Sequence, residues 1–75
     1  MKTKTIMSKV VLNTTNVRDE KLLKFINEKE INMKFVGGFG DFEEYEYIGE
    51  TQSLKTMISI FWGDEDLTQY IKEVA

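Results

Sequence analysis

Hydrophobic and polar residues alternate along three stretches of the chain, and this alternation is typical of half-buried β-strands. The first stretch covers residues 4–12 and is followed by a polar turn over residues 13–16. The second and third, residues 31–35 and 42–48, lie on either side of a glycine-rich loop of residues 37–40. Two alternating stretches around such a loop predict a β-hairpin, with the tyrosines of the third stretch on one side and its glutamates on the other.

Hydrophobic residues recur at helical spacing in two further stretches. Residues 17–29 predict an amphipathic helix, and residues 65–74 predict another, with Asp64 as its N-cap. Residues 52–62 are compatible with two structures. The hydrophobic residues there are spaced as in a helix, which we favour, but β-branched residues at alternate positions also fit a strand.

The order of these elements is βαββαα, or βαβββα if residues 52–62 form a strand. Either order predicts an α+β fold, in which a small antiparallel β-sheet has helices packed on one face. A length of 75 residues is enough for one domain. We therefore expect residues 1–75 to form a single small α+β domain, with residues 1–3 as a frayed start.

The chain contains no cysteine and no histidine. Disulfides, thiolate ligands and imidazole ligands are therefore excluded, and we expect no metal and no other cofactor. A small domain without these staples depends on tight packing or on self-association, which makes a homodimer one expectation. The lack of cysteine fits a cytoplasmic location, and no hydrophobic stretch approaches the roughly 18 residues of a membrane-spanning helix.

The net charge of the chain is −3, but the charge is distributed unevenly. Residues 1–36 carry a net charge of +4, whereas residues 37–66 carry −7. The negative total argues against nucleic-acid binding through a basic surface. The acidic middle of the chain predicts an acidic surface on the hairpin, which could bind a basic patch of a partner or imitate the phosphates of DNA.

No catalytic motif is present in the sequence. The loop of residues 37–40 lacks the lysine and hydroxyl residue of a phosphate-binding loop and the spacing of a dinucleotide-binding fingerprint. The acidic residues that follow the loop do not have the ligand spacing of a calcium loop. Because histidine and cysteine are absent, the commonest general bases and nucleophiles are missing, and we expect that the protein is not an enzyme.

The function predicted from these observations is binding of another macromolecule, and a protein is the expected partner. Exposed aromatic residues anchor interfaces, so Phe39 between its glycines and the single tryptophan, Trp62, are candidates, although Trp62 also fits the core. The acidic hairpin supplies the remaining candidates. The predicted partner-binding residues are Phe39, Asp41, Glu43, Glu44, Glu46 and Trp62.

Such a protein would be an inhibitor or adaptor. Nine lysines to one arginine, together with several asparagines and isoleucines, indicate an A/T-rich gene of bacterial or bacteriophage type, or one on another mobile element. Three alternatives remain open at this point. The basic N-terminal half could bind nucleic acid, the acidic residues could act as a DNA mimic, or the protein could be a self-assembling structural protein.

Overall fold

The computed structural model describes residues 6–14, 20–39 and 42–74. These residues form an α+β fold, and the predicted order βαββαα is confirmed, with a short fourth strand at the end. The elements are β1 Met7–Thr14, α1 Glu20–Glu28, β2 Asn32–Phe39, β3 Phe42–Glu50, α2 Thr51–Met57, a π-helical segment Ile58–Trp62, a 3₁₀ helix Glu65–Tyr70 and β4 Lys72–Glu73.

The four strands form one antiparallel sheet in the order β2-β3-β1-β4. Burial alternates strictly along β1, where Val10 and Leu12 are buried and Lys9 and Val11 are exposed. The sheet therefore has a covered face, on the side of Val10 and Leu12, and an open face, on the side of Lys9 and Val11. The helices pack on the covered face, as the sequence predicted, because only that face presents continuous hydrophobic surface.

The core lies between the covered face and the helices. Residues 52–62 are helical, which confirms the interpretation that we favoured for them, and they run from α2 into the π-helical segment without a break. Leu54, Met57 and Ile58 are completely buried, as the helical spacing requires. The buried hydrophobic residues are Val10, Leu12, Leu22, Ile26, Ile31, Tyr47, Leu54, Met57 and Ile58.

The prediction of a helix over residues 65–74 is wrong in its second half. Asp64 is the N-cap, as predicted, and its side chain accepts a hydrogen bond from the backbone N–H of Asp66. The helix is of the 3₁₀ type and ends at Tyr70, after which Lys72–Glu73 pairs with β1 as β4. The free edge of β1 offers backbone hydrogen bonds to this segment, and strand pairing outweighs the local helical pattern.

Two boundaries of the strands also differ from the prediction. β1 continues to Thr14, through the first half of the predicted turn, because Asn13 and Thr14 pair with Glu44 and Glu43. Gly37, Gly38 and Phe39 belong to β2 rather than to the predicted loop, and the pairing of β2 with β3 slips by one residue just before Gly37. The slip is a β-bulge, which allows the two strands to stay paired as far as their ends at Phe39 and Phe42.

Replacing Gly49 by alanine is expected to destabilise the fold by about 1–3 kcal/mol, the usual cost of overpacking a core. The added Cβ would lie 2.9 Å from Cγ1 and 3.5 Å from Cα of Ile31, which is itself buried. Urea unfolding followed by circular dichroism measures the change. Gln52→Ala, at an exposed position of α2, is the control and should change stability by no more than about 0.5 kcal/mol. Equal stability of the two variants would contradict this packing.

Candidate aromatic and acidic binding surface

Strand alternation separates the acidic residues of the hairpin. Glu43 pairs with Thr14 and lies on the covered face, whereas Glu44 and Glu46 pair with Asn13 and Val11 and lie on the open face. Successive residues of a strand point to opposite faces. The predicted acidic residues therefore do not share one surface.

The open face has no excess of negative charge among the residues that the structure describes. Its strands present the lysines Lys9, Lys34 and Lys72 and the glutamates Glu44, Glu46 and Glu50. Lys34 lies directly opposite Glu46, an arrangement in which opposite charges stabilise the sheet. The numbers of lysines and glutamates on this face are equal, so the open face does not attract a basic partner by its net charge.

Trp62 lies at the same end of the sheet as Glu43. The indole N–H of Trp62 donates a hydrogen bond of 3.0 Å to the backbone carbonyl of Asn13, the neighbour of Thr14 in β1. Thr14 in turn pairs with Glu43. The acidic residues 64–66 follow Trp62 after one residue and are all exposed. This end of the sheet thus combines an anchored, half-buried tryptophan with the carboxylate of Glu43, and three further carboxylates follow the tryptophan along the chain.

Two of the predicted site residues are not described in full. Asp41 lies outside the described residues. Phe39 is the last residue of β2, and its backbone pairs with Phe42 across the hairpin. The prediction that these two residues contact a partner stays a prediction.

Aromatic side chains form a row across the covered face, from β2 to the π-helical segment. The rings of Phe35 and Tyr45 meet edge to face with centroids 5.4 Å apart. The rings of Tyr47 and Trp62 do the same at 5.7 Å. Tyr47 is completely buried, Tyr45 and Trp62 are half-buried, and Phe35 is 57% exposed. The aromatic side chains of the row are therefore buried at Tyr47 and exposed to solvent at Phe35.

We call Phe35, Glu43, Tyr45 and Trp62 the aromatic–acidic surface. The hydroxyl of Tyr45 donates a hydrogen bond of 2.9 Å to Oε2 of Glu43. This bond to the carboxylate is the main cause that raises the pKa of Tyr45 above its usual value. The phenol therefore stays protonated and orients the Glu43 carboxylate, whose other oxygen can accept a bond from a partner.

Phe35 and Tyr45 were not among the residues singled out from the sequence. The alternation of the hairpin places both on the hydrophobic side of their strands, but it does not show which residues on that side are buried. Phe35 lies exposed on β2 at the edge of the sheet, and Tyr45 packs against the core but is only half-buried. The two glycines that follow Val36 in β2 are the one sequence signal that packing against the sheet is sparse there.

Stability is expected to decrease at alkaline pH because of Tyr47. Burial raises the pKa of its phenol, so the folded state holds the proton to a higher pH than the unfolded state, whose tyrosine titrates at about pH 10. The resulting contribution is complete below that pH and is lost as the pH rises above it. Urea midpoints should therefore be flat from about pH 7 to about pH 9 and fall beyond pH 10, less steeply for Tyr47→Phe. An equally steep fall in this variant would exclude Tyr47 as a cause.

The described residues contain no group of three or more metal-binding side chains that could hold an ion. Within the same part of the chain, no helix is long and apolar enough to cross a membrane. Comparisons with models of protein families, with curated proteins and with solved structures found no match. The inference of function therefore depends on the geometry of the aromatic–acidic surface.

Proposed function

We propose that the protein is a non-enzymatic interaction protein, an inhibitor or adaptor of the cytoplasm, that binds an arginine-rich segment of another protein through the aromatic–acidic surface. The observation that supports this function best is the Phe35–Tyr45 pair on the covered face beside Glu43, in which Phe35 is exposed and Tyr45 is half-buried. Large hydrophobic side chains in such a position are typical of binding surfaces.

Arginine suits this surface better than other side chains do. Its planar guanidinium stacks on aromatic rings and also donates paired hydrogen bonds to a carboxylate. Phe35 and Tyr45 offer the rings, and Glu43 offers the carboxylate. A lysine would find the same charge but would lose the planar stacking and the paired bonds.

The acidic residues beyond Trp62 would extend this attraction over a larger distance. Residues 64–66 are exposed and negatively charged, and they follow Trp62, which is hydrogen-bonded to Asn13, after one residue. Charges around a binding surface mainly accelerate encounter with an oppositely charged partner and repel partners of the same charge. The same carboxylates would repel nucleic acid, so a basic protein segment is the better match.

Titration with an oligo-arginine peptide, followed by heteronuclear NMR, tests this proposal. We expect saturable binding that weakens with added salt, with an oligo-lysine peptide binding more weakly and an oligo-glutamate peptide not at all. Trp62 is the single tryptophan, so its fluorescence gives an independent signal of binding. Equal binding of oligo-arginine and oligo-lysine would remove the aromatic residues from the proposal, and no binding at low salt would reject it.

A further inference from the structure

The outer edge of β2 has no neighbouring strand in the described sheet, since β2 is the first strand in the order β2-β3-β1-β4. Its centre exposes two consecutive hydrophobic residues, because Phe35 is 57% exposed and Val36 is 47% exposed. An exposed hydrophobic edge strand is a template for pairing with another chain. Which strand would pair there depends on the backbone groups and charges that β2 presents.

The direction of the backbone groups can be followed from the opposite edge of the sheet. The carbonyl of Met7 in β1 accepts a hydrogen bond from the backbone N–H of Val74, and that of Asn13 accepts one from the indole N–H of Trp62, both on the side away from β3. Alternate residues of an antiparallel strand direct their N–H and C=O groups to opposite sides. The even-numbered residues of β1 therefore bond to β3.

The same alternation continues through β3 to β2. The even-numbered residues of β1 pair with odd-numbered residues of β3, whose backbone groups therefore face β1. The backbone groups of the even-numbered residues of β3 face β2, and those of Glu46 bond to the backbone of Lys34. Met33 and Phe35, on either side of Lys34, consequently direct their backbone groups to the free edge.

After the bulge the pattern resumes one residue later. Gly37 pairs with Glu44 and faces β3, and Gly38 directs its backbone groups outward. Met33 and Gly38 are thus outward-facing positions on the two sides of the bulge.

We propose that β2 pairs antiparallel with β2 of a second copy of this chain, in a register that sets Met33 opposite Gly38 of the second copy. Both positions direct N–H and C=O groups outward, so each such pair can exchange two hydrogen bonds. Two-fold symmetry repeats the pair on the other side of the axis. Phe35 and Val36 of both copies meet at the centre, where their exposed surface is removed from water.

Charge complementarity is the strongest argument that the occupant is a second copy. The same register sets Lys34 opposite Gly37 of the second copy, and Gly37 lies opposite Glu44. Lys34 and Glu44 of the second copy are two strands apart, so their backbones are about 10 Å from each other. The two side chains can bridge this distance. A Cβ built on Gly37 would meet no atom of the described residues within 4 Å, so these residues leave the space beside Gly37 open.

The competing register that centres the symmetry axis on Lys34 would place two lysines directly opposite each other, which is unfavourable.

A small domain with neither disulfides nor a metal group in its described part also has a general need for such a contact. Phe35 belongs both to the dimer contact and to the aromatic–acidic surface, whereas Glu43 lies on β3, away from the free edge. The dimer and the proposed binding of arginine therefore share Phe35, and variants of Lys34 and of Glu43, each of which belongs to one of the two contacts only, test them separately.

Sedimentation over a concentration series tests the dimer with charge reversals. We expect Lys34→Glu to raise the dimer dissociation constant about tenfold, since two symmetric like-charge contacts cost about 1.4 kcal/mol together. Glu44→Lys should have the same effect, and the double variant should recover most of the affinity. Lys55→Glu, an equal charge change at an exposed position of α2, is the control. A monomer at all concentrations, or no rescue in the double variant, would overturn the proposal.

A single introduced cysteine gives a second test that does not depend on charge. Because the chain has no cysteine, any covalent dimer of Val36→Cys reports contact at this position. We expect rapid disulfide formation under mild oxidation, since the two positions lie beside the symmetry axis. Asn27→Cys, at an exposed position of α1, should form dimers slowly. Equal rates for the two variants would show that β2 does not pair with β2.

Discussion

Replacement of Tyr47 by alanine is expected to leave most of the protein unfolded at 25 °C. The side chain of Tyr47 is completely buried, its ring contacts Trp62, and its hydroxyl shares a hydrogen bond of 2.7 Å with Thr14. Truncation of a buried aromatic side chain to alanine costs about 3–5 kcal/mol. A domain of this size has a total stability of about 3–5 kcal/mol, so the variant should lose its cooperative unfolding transition.

A smaller change at the same position separates packing from hydrogen bonding. Tyr47→Phe keeps the ring but leaves the buried hydroxyl of Thr14 without this partner, for which we expect a loss of about 1–2 kcal/mol. Tyr70→Ala is the control, because Tyr70 is 57% exposed, and it should change stability by no more than about 0.5 kcal/mol. Circular dichroism and urea unfolding measure all three variants. A folded Tyr47→Ala variant of nearly unchanged stability would contradict the described core.

Glu43→Gln is expected to weaken the binding of an oligo-arginine peptide about tenfold, which is equivalent to about 1.4 kcal/mol. Glutamine keeps the shape of the side chain and can still accept the hydrogen bond from Tyr45, so the loss reports on the charge. Phe35→Ala removes the exposed ring and should weaken binding by a similar factor. Isothermal titration calorimetry at constant salt concentration measures these affinities.

Glu46→Gln is the matched control for this prediction. It makes the same chemical change on the same strand, but Glu46 lies on the open face opposite Lys34. We expect it to change the affinity by no more than about twofold, because surface charges that do not contact the ligand contribute little at physiological salt. Equal effects of the two glutamine variants would mean that the peptide responds to the overall charge and not to the aromatic–acidic surface.

Local patterns were sufficient to predict most of the elements. The hairpin, the described part of the first helix and the helix after the hairpin follow from the spacing of hydrophobic residues within each segment. The opposite orientation of Tyr45 and Glu46 also follows from alternation alone. β4 could not be predicted in this way, because Lys72–Glu73 is a strand only through its pairing with Ser8 and Lys9, far away in sequence.

The binding surface was less predictable than the fold. Counting charges along the sequence groups Glu43, Glu44 and Glu46, but the pleat of the strand divides them between two faces. The exposure of Phe35 depends on how far the helical layer extends over the sheet, which the spacing of hydrophobic residues in β2 does not encode. Trp62 was considered both as a core residue and as a binding residue, and in the structure it contacts Tyr47 while remaining half-buried.

The most direct test of the proposed function is to map the bound oligo-arginine peptide on the unaltered protein by chemical-shift changes. We expect the largest changes at the backbone amides of Phe35, Glu43 and Tyr45 and at the indole N–H of Trp62. The open face, represented by Val11 and Glu46, should change little. Largest changes on the open face or on α1, or no saturable binding at low salt, would contradict the proposal that this protein binds basic partners through its aromatic–acidic surface.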